Sequence, residues 1–154
     1  LDSPIGKLTI EASDQEVFFI GFPETSSETK TNPLSELAKS QFIQYFEGSR
    51  HEFDFPMSQA GTEFQQEVWE ELRKINAGKP ISYAALSKKM NKPLAIRAIA
   101  SANGKNKLMI AVPCHRVIGS NGDLVGFSGG LWRKKWLLEH EAKMMGTGQS
   151  SLIL

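Results

Sequence analysis

Two hydrophobic rhythms share this chain, and they occupy different stretches of it. Leu8, Ile10, Val17, Phe18, Phe19, Ile20 and Phe22 supply β-branched and aromatic residues in two runs, separated by the turn-forming residues 12–16. Beyond residue 61 the apolar residues recur at helical spacing instead. Strands followed by helices imply an α+β arrangement or separate domains. The connector 49–62, with Pro56 and Gly61, is the natural boundary. The expectation is an α/β domain over 1–60 and a mainly helical domain over 61–154.

Within the first part, the polar stretch 23–32 reads as loop, and Asn32-Pro33 reads as the cap and first residue of a helix closed by Gly48. In the second part, Thr62 opens a helix carrying Phe64, Val68, Trp69, Leu72 and Ile75 and ending at Gly78, with Trp69 on its core side. Ser82 caps a short helix over 83–90. Pro93 opens another, to about Asn103, and the pair forms a helix-turn-helix pattern. Leu108–Val112 reads as a short buried strand, Ser120–Asp123 as a type I′ turn, and Ser128 as the cap of a last helix presenting Leu131, Lys135, Leu138, Glu141 and Ala142. Residues 145–154 have no periodicity and read as frayed.

Charge follows the same division. The chain carries +1 in total, but residues 1–60 carry −6 and residues 61–154 carry +7. A basic half attracts polyanions. One cysteine among 154 residues excludes an internal disulfide framework and a multi-cysteine metal cage. No apolar run approaches the length of a membrane span, and the opening Leu-Asp-Ser-Pro has no basic or apolar leader character, so the expected location is cytoplasmic.

A lone cysteine is commonly just a small buried hydrophobe. Cys114 differs, because it follows Pro113 at the end of an apolar run and precedes His115 and Arg116, whose positive charge can lower a thiol pKa. On an extended chain Cys114 and His115 would point to opposite faces, so they cooperate only through a turn or a bridging water. The residues alone identify a candidate activated thiolate beside a basic helical region.

Pro113-Cys114-His115-Arg116-Val117 resembles the active-site signature of the O6-alkylguanine-DNA alkyltransferases. Ile81-Ser82-Tyr83, Arg97–Asn103, Asn106, Gly126–Gly130 and Leu137–Glu141 resemble further blocks of that family, in family order, across roughly residues 62–142. The resemblance implies an N-terminal RNase H-like α/β domain and a C-terminal winged helix-turn-helix-like domain. It implies direct, irreversible transfer of an alkyl group from O6-alkylguanine, with O4-alkylthymine as a second candidate substrate, to Cys114 after base flipping, with no cofactor and no metal. In that scheme His115 is the base, acting through a water, and Glu141 orients it. Tyr83 donates to the leaving guanine, and Asn106 braces the turn before the active-site segment. Arg97 enters the base stack to fill the hole left by flipping. Ala98, Ser101, Ala102 and Asn103 line the DNA-facing helix with Arg97 and Tyr83. Val117, Phe127, Ser128 and Gly129 shape the guanine pocket.

The implied partner is double-stranded DNA bearing alkylated bases, approached through the minor groove by a monomer, with no membrane role. In a prokaryote the protein would be nucleoid-associated, in a eukaryote nuclear. Phe127 stands where the family often has Tyr, and Lys107 where it often has Pro. The cysteine-built zinc site of some members cannot exist here, and His51 and His140 read as surface residues. Two other readings compete. A non-catalytic lesion-binding relative would lack the cysteine. A thiol hydrolase or redox protein on another fold would have no need of Tyr83, Arg97 and Asn106 at these spacings.

Overall fold

The computed structural model describes residues 1–23, 30–119, 122, 127 and 129–146. Contacts divide them into two units, Leu1–Ala60 with Lys107–Ala111, and Gly61–Asn106 with the segment from Val112 onward. The expected boundary near residue 60 is therefore interrupted by one short return of the chain to the first unit.

In the first unit, β1 (Asp2–Ser3) pairs antiparallel with β2 (Gly6–Lys7), and β3 (Thr9–Ala12) with β4 (Val17–Gly21). The turn falls at Ser13–Glu16, where the Ser13 hydroxyl accepts from the Gln15 and Glu16 amides. Helix α1 (Pro33–Glu47) begins at Asn32, whose side chain accepts from the Ser35 amide while Ser35 Oγ accepts from the Asn32 amide. Asn32 Nδ2 also donates to the Ala12 carbonyl at 2.8 Å and so pins the helix to β3. Gly48 ends the helix at φ 88, a conformation that costs glycine little. Phe42 and Tyr45 on α1 are fully buried and pack against Phe53 and Phe55.

The expected strand over 108–112 is not formed. Leu108 makes one isolated parallel bridge to Ile20, Ile110 turns at φ 72, and the Ala111 amide donates back to the Met109 carbonyl. The positive φ at Ile110 breaks the extended run despite its apolar composition.

The second unit starts with α2 (Glu63–Leu72), capped by the Thr62 hydroxyl. This helix stops at Leu72 rather than near Gly78. The Lys74 and Ile75 amides donate three residues back, to Glu71 and Leu72, which tightens the chain into turns. Next come β5 (Ile81–Ser82), α3 (Tyr83–Lys89) and α4 (Ile96–Gly104), with Ser82 capping α3 through the Ala85 amide. Pro93 does not open α4. It lies in a turn closed by the Ala95 amide on the Lys92 carbonyl, after Asn91 has turned at φ 59. A 3-10 turn, Cys114–Arg116, runs into β6 (Val117–Ile118), which pairs parallel with β5.

Helix α5 (Leu131–Met144) has Gly130 in the cap position. Ser128 itself lies outside the described residues, as do Ser120, Asn121 and Asp123 of the expected turn and residues 147–154. The buried face of α5 is Lys134, Leu137, Leu138, Glu141 and Ala142. Leu131 and Lys135, expected on that face, are exposed. No helix among the described residues is long and apolar enough to cross a membrane.

Replacing Asn32 with Ala removes the cap of α1 and its tie to β3. The expected cost is about 1–2 kcal/mol, read as a lower denaturant midpoint at unchanged slope.

Candidate active site

The turn Cys114–Arg116 sends three consecutive buried side chains to three sets of partners. Its backbone closes locally, the Cys114 amide on the Val112 carbonyl at 2.8 Å and the Arg116 amide on the Pro113 carbonyl at 3.0 Å. The geometry replaces the opposed faces expected of an extended Cys-His pair with a tight turn.

His115 Nε2 meets Glu141 Oε2 at 2.8 Å. Arg116 holds the same carboxylate with two prongs, Nε to Oε1 at 2.8 Å and Nη2 to Oε2 at 2.9 Å, while Nη1 donates to the Ile75 carbonyl at 2.7 Å. That carbonyl lies beyond the end of α2, where the turns leave it facing Arg116. One fully buried carboxylate thus joins α5, the cysteine turn and the segment after α2. Burial alone would raise the Glu141 pKa, but the attraction of His115 and Arg116 overrides it and holds the carboxyl well below the usual range.

The protons follow from this. An ionised carboxylate only accepts, so His115 Nε2 carries the hydrogen. Burial lowers the His115 pKa more strongly than Glu141 raises it, so the imidazole is neutral at neutral pH. Its lone pair is therefore on Nδ1, which is buried with no hydrogen-bond partner among the described residues. This is an acceptor built and left open.

Cys114 is 2% exposed. Burial raises its pKa, against a hydrogen bond from Asn106, the charge of Lys134 and the local amides. The resting group is the thiol. Asn106 Nδ2 also donates to the Val112 carbonyl at 2.9 Å, which fixes the chain before the cysteine. Tyr83 begins α3, and its hydroxyl accepts from Asn103 Nδ2 at 3.0 Å. With Asn103 donating, the phenolic proton is free for another acceptor. Burial and the nearby Cys114 raise the Tyr83 pKa, so it stays protonated.

Arg97, Ala98 and Ser101 are exposed on α4. Ala102 and Asn103, grouped above with the DNA-facing residues, are buried on the inward side instead. The Ala102 carbonyl accepts from the Trp69 indole at 2.8 Å, consistent with a packing role for Trp69. Asn103 spans from Tyr83 to the Cys114 carbonyl, the latter at 3.3 Å. Phe127 lies over Gly129, where an added Cβ would come within 2.7 Å of its ring. The Val117 carbonyl is occupied by Lys134 Nζ at 2.6 Å. His51 is exposed, whereas His140 is part-buried and stacks on Trp136 at 4.6 Å. Among the described residues no group of three or more His, Cys, Asp or Glu is placed to hold a metal.

Three contributors escaped the sequence reading: Arg116 as a clamp, Asn103 as a link, and Lys134. A charged residue four positions before Leu138 and seven before Glu141 shares their helical face, and that spacing was the available signal for Lys134.

Residues 1–59 match the 6-O-methylguanine DNA methyltransferase, ribonuclease-like domain, and residues 63–143 match the DNA binding domain of the same name. The chain belongs to the 6-O-methylguanine DNA methyltransferase family. It is 42% identical over 123 residues to a methylated-DNA–protein-cysteine methyltransferase of Shigella flexneri, covering 79% of this chain and 70% of that protein. It is 39% identical over 138 residues to the constitutive enzyme of Bacillus subtilis, covering 83% and 84%. The crystal structure of Mycobacterium tuberculosis OGT in complex with DNA superposes with a TM-score of 0.85 at 40% identity, covering 94% of this chain and 91% of that one. An N-terminal ribonuclease-like domain and a C-terminal DNA-binding domain are therefore the family architecture of this chain.

Glu141→Gln strands the Arg116 charge in a buried site, at an expected cost of about 3–5 kcal/mol. Because the Glu141 pKa is lowered on folding, its stabilisation is complete above its ordinary value of 4.5 and is lost as pH falls below it. Urea unfolding across pH should show a constant gap between wild type and variant above that value and a narrowing gap below.

Proposed function

We propose that this chain repairs alkylated DNA by moving the alkyl group of O6-alkylguanine onto Cys114, once per molecule. The observation that carries the reading is the open Nδ1 of a neutral, buried His115, held in that tautomer by Glu141, one residue from the chain's sole thiol. As a member of its family the chain acts in direct DNA repair as a methylated-DNA–protein-cysteine methyltransferase.

The proton balance is simple. The Cys114 thiol loses its proton toward His115 Nδ1. The sulfur attacks the alkyl carbon, the bond from that carbon to O6 breaks, and its electron pair leaves with the guanine. Tyr83 protonates the departing base and is restored by the proton held at His115. One proton leaves the thiol and one arrives on guanine, so no cofactor is required. Guanine leaves better as the neutral species, which is why a donor phenol matters here.

Arg97, Ala98 and Ser101 lie on the exposed surface of α4. The small residues let the helix approach the minor groove, and Arg97 replaces the flipped base in the stack. The +7 charge of residues 61–154 favours the phosphate backbone. Every group in the chemical step comes from one chain, so a monomer suffices. The place of action is the compartment that holds the DNA, the cytoplasmic nucleoid or the nucleus.

Cys114→Ala should bind duplex DNA containing O6-methylguanine as wild type does, in a shift assay, and accept no methyl group. A variant that still demethylates the DNA would overturn the assignment. Arg97→Ala should slow transfer from duplex DNA by about tenfold or more, since flipping costs a few kcal/mol, and leave transfer from the free base within about twofold. Equal slowing on both substrates would remove Arg97 from the flipping step.

A further inference from the structure

A buried polar atom without a hydrogen bond is rare enough to call for a reason. Among the described residues two buried side-chain atoms have no such partner, His115 Nδ1 and Asn103 Oδ1. His115 Nδ1 takes the Cys114 proton in the proposed reaction, which leaves Asn103 Oδ1 without a use.

Asn103 is 4% exposed, on the inward face of α4. Its Nδ2 donates to the Tyr83 hydroxyl at 3.0 Å and to the Cys114 carbonyl at 3.3 Å. A carbonyl only accepts, so the contact with Cys114 fixes which end of the amide is nitrogen. Oδ1 is the other end of the same planar group, about 2.3 Å from Nδ2, and so within about 5 Å of the phenol oxygen. The carbonyls of Cys114 and Val117 each accept already from a side-chain nitrogen, Asn103 Nδ2 and Lys134 Nζ. Tyr83 and Asn103 thus set a proton donor and an open acceptor side by side against the cysteine turn.

The substrate has a matching edge. Alkylation at O6 removes the N1 hydrogen of guanine, so the 2-amino group is the one N–H donor left on the base within DNA. The ring nitrogens on either side of it, N1 and N3, are acceptors. A neighbouring acceptor and donor on one base edge complement the Tyr83 hydroxyl and Asn103 Oδ1. We propose that Asn103 Oδ1 accepts from the 2-amino group of the flipped base, and that Asn103 makes the site prefer O6-alkylguanine to alkylated bases lacking this amine. O4-alkylthymine has no N–H and leaves the oxygen unpaired in a buried site, which is the costly outcome. Asn103 meets no reacting atom, so its role is specificity. This inference rests on Cys114 being the alkyl acceptor and Tyr83 the donor to the base.

The test uses the full chain and two single-stranded oligonucleotides, so that base pairing does not enter. One carries O6-methylguanine. The other carries O6-methylhypoxanthine, the same base without the 2-amino group. Wild type should methylate Cys114 about tenfold faster from the guanine. Asn103→Leu keeps the size of the side chain and removes both of its polar ends. Both rates should fall with the lost Nδ2 contacts, but the ratio between the two bases should fall about tenfold, toward one. Equal rates in wild type, or the wild-type ratio retained by the variant, would overturn the proposal, because a purely structural Asn103 slows both bases alike. If the Leu variant does not fold, Asn103→Ala, which suits a helix, reads the same ratio. Peptide mapping separates the two levels: no methyl on Cys114 from either base sinks the acceptor reading and this one with it. Methyl on Cys114 at a ratio indifferent to the substitution sinks the recognition of the amine alone.

Discussion

One carboxylate organises the second unit. Glu141 is fully buried, and a lone buried carboxylate would be intolerable. It survives because Arg116 grips it with two prongs and His115 completes the shell. The same contacts fix the imidazole tautomer. Structural and chemical roles share one group, so the site cannot loosen without the fold loosening. Arg116 extends the link through Ile75, which requires α2 to end where it does and leave that carbonyl available.

The thiol is held in reserve by the same burial. Burial raises the Cys114 pKa, so in the proposed reaction the sulfur stays a thiol until a base accepts its proton. In the proposed reaction His115 would supply the acceptor and Tyr83 the donor, and Asn103 joins Tyr83 to the backbone of Cys114. A reaction that happens once per molecule needs no route for regeneration. It needs a site that stays dry and inert beforehand, and burial provides this.

Much of this was legible in the sequence, for identifiable reasons. Asn32-Pro33, Thr62 and Ser82 cap helices because their side chains satisfy amides locally, and local chemistry is what a sequence displays. The Pro-Cys-His-Arg run marked the centre. The failures are tertiary. Leu108–Val112 has strand composition, but Ile110 adopts a positive φ and its neighbours form isolated bridges rather than a strand. Pro93 has the right residue type for a helix start, yet the turn set by Asn91 delays α4 to Ile96. Ala102 and Asn103 lie in a block that resembles a DNA-facing helix, while α4 turns those positions inward. Lys134 was passed over because charge usually marks the solvent side of a helix.

The account depends most on Cys114 as a stoichiometric acceptor. The most direct measurement is a titration of the protein with an excess of duplex DNA carrying isotopically labelled O6-methylguanine, followed by intact mass and peptide mapping. The account predicts one methyl group per chain, all of it on Cys114, with the guanine in that DNA restored in equal amount. Turnover beyond one equivalent, or label on any other residue, would contradict it.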